Sequence, residues 1–361
     1  MGAVGRNIII FVVVVLVALG AGYFLGPKTA SRTQTLTIER PAPTVLARLA
    51  STPAGTTVAE GVTLAQAASL EGDTVSAPVA WADGGTGRVS YTVTPQGQGA
   101  RVAFKLEQDL GANPIDRFQV ITGGKVGPLI AAAASAVQTD LNALPNATFA
   151  NLHYEVVQVS ARPFFYVENC SDSSVESITS IISQAVAAIP PVMRTNNLSP
   201  SGELMAVEPR VVSGQYCYQV GYPYSGRQPR ALLIGKTGQT PGGTALRIVY
   251  TGAETDVIHD VYDPMDALLA AAHLDNPATR EDDWPTYEVY HDDPTQAGGS
   301  HNREIFYVTS GDISVLAHIL PPSEPAPAPQ TAGAETAAPE AAQTPAATPA
   351  TDTAPAPAPT P

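Results

Sequence analysis

The pattern of apolar and polar positions divides the chain into four parts. Residues 8–25 read IIIFVVVVLVALGAGYFL without a charge, and residues 321–361 are mostly Pro, Ala and Thr. Between them, 32–150 and 152–320 alternate apolar and polar residues with the periods of strands and helices. We therefore expect two folded domains, with an apolar segment before them and a proline- and alanine-rich tail after them.

The first folded segment is predicted to form an antiparallel sheet and a long final helix. A strand covers 33–40, and a short helix follows Pro41. Turn signals of Gly, Pro and Asp bound three further strands, which are 75–81, 87–94 and 101–110. After Asn113-Pro114 the pattern is helical to about Leu144. This order of elements predicts an α+β domain.

The second folded segment is predicted to contain the order strand, helix, strand, strand twice. The first copy has a strand over 153–167 bent at Arg162-Pro163, a helix over 173–189 capped by Ser173 or Ser174, and strands 205–209 and 215–222, followed by a further strand at 231–236. The second copy has a strand over 244–250, a helix over 257–273, and strands 287–291 and 304–309. A repeated order of elements indicates an internal duplication.

Two stretches of the first segment carry a resemblance to a known family. They read TLTIERPAPTVLARLA and VSYTVTPQGQGARVAFKLEQDLGANPIDRF, and the long helix follows them. Their order resembles the polyketide cyclase/dehydrase and lipid-transport family, whose helix-grip (SRPBCC-type) fold wraps a sheet around a C-terminal helix. The family's aromatic-rich turn is missing, and Trp81 is the large aromatic that remains there. The resemblance implies either a closely packed scaffold or an apolar ligand cavity.

Six short words of the second segment carry a second resemblance. They are FFYVENCSD, LSPSGELMAVEP, YCYQVGYP, TPGGTALRIVYTG, YEVYHDDPT and REIFYV. Their order resembles the GyrI-like family of effector-binding modules, and implies an aromatic-lined cleft in which an acidic residue on the penultimate strand faces lipophilic cations. The matching residue is Glu288, where Tyr287 replaces the family's usual Trp, and Trp284 is a candidate for the missing indole. No helix-turn-helix precedes this module, so a DNA-binding regulator is not implied.

Strand parity independently predicts a carboxylate among tyrosines. Side chains alternate between the faces of a strand, so Glu288 and Tyr290 share one face and Tyr287 takes the other. The remaining candidates for ligand contact on predicted strands are Tyr166, Tyr218, Tyr222 and Tyr250. Ring faces attract cations by about 0.5–2 kcal/mol each, so we expect an apolar ligand, cationic or aromatic. The alternative is that Glu288 lies on a surface edge strand and that the tyrosines pack as ordinary sheet formers.

Charge narrows the range of partners. The formal net charge is −14, and residues 153–320 carry 20 Asp and Glu against 9 Lys and Arg. An acidic protein does not release phosphate counterions with basic side chains, so nucleic acid is not an expected partner. An acidic module favours cationic partners, unless the charge serves only solubility.

The apolar run 8–25 predicts a membrane segment, because its length matches the hydrocarbon core of a bilayer. It is either an anchor preceded by the flank 1–7 or a cleaved signal peptide, and its length favours the anchor. We expect a single-pass inner-membrane protein of a bacterial envelope, with most of the chain in the periplasm. There Cys170 and Cys217 form a possible disulfide, with two unrelated buried thiols as the alternative. The proline-rich tail 321–361 lacks residues for a core and is predicted to be disordered.

Catalytic and cofactor motifs are missing from the sequence. There is no Gly-x-Ser-x-Gly turn, no phosphate-binding glycine pattern and no close metal-ligand spacing among the six histidines. No metal or cofactor is expected. The leading hypothesis is non-catalytic sensing or sequestration of a small molecule. The alternatives are a hydrolase of electrophilic small molecules, which the GyrI-like resemblance implies with Glu288 as general base, and an envelope structural or interaction protein.

Overall fold

Two antiparallel sheets, each packed against helices, form the fold, which is α+β as predicted. The computed structural model describes residues 11–17, 20, 28–111, 117, 126–172, 174–229, 232–276, 279–296 and 300–323. Both sheets belong to one unit that ends at Ser323.

The first sheet has seven strands in the order β1-β7-β6-β5-β3-β2, with β4 paired to β5. The elements are β1 (Thr29–Ile38), α1 (Ala42–Ala50), β2 (Thr57–Ala59), β3 (Val62–Leu64), β4 (Ser69–Glu71), β5 (Thr74–Trp81), β6 (Thr86–Gln96), β7 (Gly99–Asp109) and α2 (Val126–Asn142). The three short strands β2 to β4 were not predicted, because three residues are too few for a periodic pattern.

Alternation along the long strands buries one face of the first sheet against α2. Val102, Phe104 and Leu106 of β7 are fully buried, and α2 packs on β1 and β7. Ala133 and Ala134 bring the helix close to the sheet, because their side chains are small and buried. The predicted long helix is therefore observed over Val126–Asn142, whereas the part of that prediction at 112–116 and 118–125 lies outside the described residues.

The second sheet has nine strands in the order β13-β9-β12-β11-β15-β16-β14-β8, with β10 paired to β12. The elements are β8 (Glu155–Val159), β9 (Pro163–Ser171), α3 (Val175–Thr195), β10 (Ser199–Pro200), β11 (Leu204–Val212), β12 (Gln215–Ser225), β13 (Lys236–Gln239), β14 (Gly243–Gly252), a π-helical turn (Ile258–Tyr262), α4 (Asp263–Ala271), α5 (Arg280–Asp283), β15 (Thr286–Tyr290), β16 (His301–Thr309) and α6 (Leu316–Ile319).

The strand order of the second sheet is that of two repeats related by a pseudo-twofold axis. The first repeat, β9-α3-β11-β12, lies in the sheet as β9-β12-β11, and the second, β14-α4-β15-β16, continues it as β15-β16-β14. The repeats meet where β11 pairs with β15, and Ala206 there is the register partner of Glu288. The predicted duplication therefore places the candidate acidic residue at the junction of the two repeats.

Some predicted boundaries of the second sheet are wrong for local reasons. The predicted strand 153–167 is divided into β8 and β9 at the bend before Pro163. The predicted strand 231–236 is replaced by β13, which starts at Lys236 after Gly235 takes a positive φ of 82°. Helix α3 continues to Thr195 through Pro190 and Pro191, and the Ser174 side chain accepts a hydrogen bond from the Ser177 amide at its start.

Helix α1 joins the two sheets. Arg48 donates to the Ala270 carbonyl oxygen at 2.8 Å and forms a salt bridge with Asp140 of α2, also at 2.8 Å. Ser51 donates to the Ala271 carbonyl oxygen at 2.5 Å. These bonds satisfy carbonyl groups at the end of α4 that have no partner within the helix.

Cys170 and Cys217 form a disulfide in the structure, with an S–S distance of 2.01 Å. They are direct register partners on β9 and β12. The bridge therefore links neighbouring strands of the first repeat.

The prediction of a single-pass inner-membrane protein is contradicted. Among the described residues, no helix has both the length and the apolar character that a membrane crossing requires. Of the predicted segment 8–25, residues 11–17 are helical and the positions at 8–10, 18–19 and 21–25 lie outside the described residues. The predicted disordered tail lies outside them from residue 324 onward.

Gly221 of β12 lies so close to β9 that there is no room for a side chain at this position. A Cβ there would overlap the Phe165 carbonyl oxygen and lie 2.7 Å from the Tyr166 Cα. We expect Gly221→Ala to lower the free energy of unfolding by roughly 1–3 kcal/mol, because β9 and β12 must separate. Denaturant unfolding measures this loss. Gly127→Ala is the matched control, since nothing lies within 4 Å of its added Cβ, and equal losses in both variants would contradict the expectation.

Candidate functional site

A cavity of about 260 Å³ lies at the junction of the two repeats. Strands β11, β12 and β15 form its floor, and α3 and the π-helical turn cover it. Its polar lining comprises Glu208, Tyr216, Tyr218, Glu254, Tyr262, Glu288 and Tyr290. Its apolar lining comprises Ile178, Ile182, Ala206, Val257 and Ile258. The cavity therefore combines aromatic and aliphatic walls with three carboxylates.

A fully buried arginine lies behind the carboxylates. The Arg303 side chain is 0% exposed and lies on β16 beside Tyr290, its register partner on β15. One guanidinium nitrogen donates to Glu288 at 3.0 Å, and the group also forms a salt bridge with Glu254. Burial lowers the pKa of Arg303, but Glu288 and Glu254 raise it by more, so the guanidinium stays charged.

Two tyrosine rings complete the surroundings of this guanidinium. Its central carbon lies 5.3 Å from the centre of the Tyr290 ring and 6.0 Å from that of Tyr250. Both distances allow a cation–π interaction. The sequence predicts that a carboxylate and tyrosine rings surround the positive charge of a ligand. In the structure, Arg303 supplies a positive charge beside Glu288, Tyr290 and Tyr250.

Both oxygens of Glu288 have partners within the protein. Glu288 is 7% exposed. The Tyr262 hydroxyl donates to its Oε1 at 2.5 Å, and Arg303 donates to its Oε2 at 3.0 Å. Hydrogen bonds to charged groups are about twice as strong as neutral ones, so Glu288 is held firmly in place.

The π-helical turn Ile258–Tyr262 places Tyr262 over the sheet. A π-helical turn accommodates an extra residue and is frequent at functional sites. Burial raises the pKa of Tyr262 well above its usual value, and the neighbouring Glu288 and Glu208 raise it further. Tyr262 therefore remains a protonated hydrogen-bond donor between two carboxylates.

Glu208 lies at an irregularity of β11. The pairing of β11 with β15 ends at Val207, and the register with β12 shifts between Val207 and Arg210. Glu208 lines the cavity, and it also borders a cleft of about 500 Å³ that includes Arg280 and Trp284. Burial raises the pKa of Glu208 to about 7, with the Tyr262 hydrogen bond opposing this shift and Glu288 adding to it.

The other predicted ligand residues lie away from this cavity. Tyr287 stacks on Phe306 at 4.7 Å on the opposite face of the sheet, and Tyr166 stacks on Phe164 at 5.4 Å. Tyr222 packs in the core beneath α3. Trp284 lies in the core of the second repeat, and its indole nitrogen donates to the Leu274 carbonyl oxygen at 3.1 Å.

Tyr250 is the remaining predicted residue, and it lies behind Arg303. Its hydroxyl donates to the Ala253 carbonyl oxygen at 3.0 Å. Of the eight predicted ligand residues, the structure therefore brings together Tyr218, Glu288 and Tyr290 in the cavity lining.

Sequence reasoning missed Arg303, Glu208, Tyr262 and Glu254. Arg303 shares parity with the buried Ile305 and Tyr307, so a charged residue in that pattern signals a buried partner. The predicted strand began one residue later, at 304, and left that signal unused. Among the described residues, no group of three His, Cys, Asp or Glu side chains has an arrangement that holds a metal ion.

The first sheet also encloses a cavity, of about 390 Å³. It lies between the sheet and the helices α1 and α2, and its lining includes Val75, Tyr91, Asp140 and His273. Burial is the main cause that raises the pKa of Tyr91. Both alternatives for 32–150, a closely packed scaffold and an apolar ligand cavity, stay predictions.

Comparison with known proteins leaves the chain without an assigned family. No protein-family model matches it, and no curated protein matches it. A hydrolase from Listeria innocua shows weak structural similarity, with 12% identity over 43% of this chain and 90% of that chain and a TM-score of 0.29. SAV2435 bound to tetraphenylphosphonium shows 12% identity over 46% of this chain and 97% of that chain, with a TM-score of 0.30.

A third similar structure covers a larger share of the chain. The di-domain ARO/CYC protein BexL from the BE-7585A biosynthetic pathway is 12% identical over 81% of this chain and 88% of that chain, with a TM-score of 0.22. Scores this low establish no shared activity.

The buried ion pairs predict a strong effect of removing Arg303. We expect Arg303→Met to lower the free energy of unfolding at pH 8 by roughly 3–5 kcal/mol, because Glu288 and Glu254 lose their counter-charge in the interior. The loss should shrink at pH 5, where uncompensated carboxylates take up protons. Denaturant unfolding at both pH values measures it.

Two further variants control this experiment. The double variant Arg303→Met with Glu288→Gln should regain part of the loss, because one buried charge is removed with its partner. Arg101→Met changes an exposed arginine and should stay within about 0.5 kcal/mol of the wild type. A loss in Arg303→Met no larger than in Arg101→Met would contradict the ion-pair assignment.

Proposed function

We propose that the cavity at the junction of the repeats binds a compact apolar cation, and that the protein senses or sequesters this compound without converting it. The balance of charge in the cavity is the observation that supports the proposal. Glu208, Glu254 and Glu288 line it, and among the described side chains Arg303 is the positive group that pairs with Glu254 and Glu288. The site is therefore net negative whenever its carboxylates are ionised.

The walls of the cavity favour a ligand that is apolar as well as cationic. Ile178 and Ile182 of α3 face the strands, and the rings of Tyr216 and Tyr218 lie on the floor. Aromatic faces attract cations more strongly when water is excluded. A small aromatic ring that carries a quaternary ammonium group has the size and chemistry that this lining accepts.

The first sheet has a supporting part in this proposal. Residues 32–150 and 152–320 are proposed to be separate domains held together by α1 and the end of α4. Arg48 and Ser51 bond to α4 there, and the π-helical turn that covers the cavity precedes the same helix. The first domain thus steadies one wall of the ligand site.

One observation favours hydrolysis as a second candidate function. The pKa of Glu208 is raised to about 7 by burial, which suits a general base at neutral pH, and the Tyr262 hydroxyl lies beside it. Such a pair would activate water for attack on a strained electrophile. Conversion of styrene oxide to its diol, faster with the wild type than with Glu208→Gln, would support this candidate, and equal rates would exclude it for that substrate.

Selectivity between isosteres tests the proposed binding. Phenyltrimethylammonium and tert-butylbenzene have nearly the same shape, but only the first is charged. We expect the full chain at pH 8 to bind the cation at least about tenfold more tightly, a difference of about 1.4 kcal/mol, as measured by calorimetry. Raising the salt concentration should weaken the cation's binding and leave the neutral compound unaffected.

Equal affinity for both compounds, or binding of neither, would contradict the proposal that the net negative charge of the cavity selects a cationic ligand. Mass spectra of the recovered cation should show an unchanged compound.

A further inference from the structure

We propose that Glu208, rather than Glu288, is the carboxylate that pairs with the cationic group of the ligand. This assignment rests on the proposed function and names the specificity-determining residue within it. Glu288 is unsuited to the role, because Tyr262 occupies its Oε1 and Arg303 occupies its Oε2. A ligand cation would have to displace one of these charge-assisted bonds to reach it.

The charges of the cavity leave one negative group in excess beside Glu208. Arg303 forms salt bridges with both Glu254 and Glu288. These three residues together carry one net negative charge, and each of the two carboxylates already has Arg303 as a partner. Among the described side chains, Glu208 forms no salt bridge with Lys, Arg or His. Arg280 lowers the pKa of Glu208, but by less than the other named causes act on it, and Arg280 is itself paired with Asp266.

The position of Glu208 makes it reachable. The ladder between β11 and β15 ends at Val207, so Glu208 lies where the sheet opens and borders space on both faces. Tyr218 of the neighbouring strand is close enough that the Glu208 charge raises the pKa of its hydroxyl, after the larger effect of burial. A cation at this point meets a carboxylate and a ring face together.

Several titratable groups face Glu208 from the elements packed around it. On β15, β12, β16, the π-helical turn, α4 and α5 they are Glu288, Tyr218, Tyr307, Tyr262, Asp266 and Arg280. The tyrosines stay protonated, since burial raises the pKa of Tyr262 and of Tyr307 well above the usual value. Glu208, with its pKa raised to about 7, is therefore a group whose ionisation changes between pH 6 and 8.

Ligand affinity should then depend on pH in a defined direction. Because the pKa of Glu208 is raised from 4.5 to about 7, the carboxyl is largely neutral at pH 6 and ionised at pH 8. Binding of a cation should weaken as the pH falls through 7, and binding of a neutral isostere should not change. The same shift means that the ionised carboxylate costs folding stability as the pH rises from 4.5 to about 7.

Four variants of the full chain test the assignment with phenyltrimethylammonium as the probe. Glu208→Gln, Glu254→Gln and Glu288→Gln each remove one negative charge from the cavity lining, so a diffuse field would weaken binding equally in all three. We expect Glu208→Gln to lose about tenfold in affinity or more at pH 8, and the other two to lose about threefold or less. Glu203→Gln, whose carboxylate pairs with His291 on the opposite face, should bind as the wild type does.

The binding data separate the failure of this assignment from the failure of the proposed function. If the wild type binds the cation selectively and Glu208→Gln loses no more affinity than Glu254→Gln, the assignment to Glu208 is overturned. The proposed function of the cavity is then retained. If the wild type binds neither compound, both are overturned. Loss of the pH dependence in Glu208→Gln supports the assignment, and its persistence overturns it.

Thermal unfolding without ligand gives a second readout. Glu208→Gln should raise the melting temperature at pH 8 by about 3 °C and leave it nearly unchanged at pH 4, which lies below both the folded-state pKa of about 7 and the ordinary value of 4.5. A lower melting temperature at pH 8 would show that Glu208 is a structural partner of neighbouring groups, and would overturn the assignment.

Discussion

The buried guanidinium of Arg303 is the constraint around which the second sheet is arranged. A charge with 0% exposure costs several kcal/mol unless partners surround it. Here Glu288, Glu254 and the rings of Tyr290 and Tyr250 supply them. The consequence is that the acidic residue expected to meet a ligand already has an internal counter-ion. We therefore propose that another carboxylate of the same cavity recognises an external cation.

The cavity exists because two similar repeats meet there and are not identical. The pseudo-twofold order brings β11 beside β15, and a helix from each repeat lies above. The first repeat contributes a register shift in β11 next to Glu208, and the second contributes a π-helical turn that carries Tyr262. Strand bulges and π-turns are both common at functional sites. The polar groups Glu208 and Tyr262 therefore enter the cavity at the places where the two repeats differ.

The local pattern of apolar and polar residues predicted most of the helices and strands, and the face of the sheet on which individual side chains lie. Alternation alone separated Glu288 and Tyr290 from Tyr287, and the structure places the first two in the cavity and the third on the opposite face. Pattern did not reveal that Arg303 bonds to Glu288, because that contact joins residues on different strands. It also did not reveal the π-helical turn, whose sequence has the same apolar spacing as an α-helix. The prediction of a transmembrane segment, which rested on length and hydropathy, is contradicted by the described residues.

A crystal structure of the full chain with phenyltrimethylammonium, grown at pH 8, would locate the proposed cation site. We expect density for the cation in the cavity at the repeat junction, with its nitrogen closer to the Glu208 carboxylate than to that of Glu288. The Arg303 bonds to Glu288 and Glu254 should be unchanged. A cation paired with a displaced Glu288, or one bound in the cavity of the first sheet while this cavity stays empty, would contradict it.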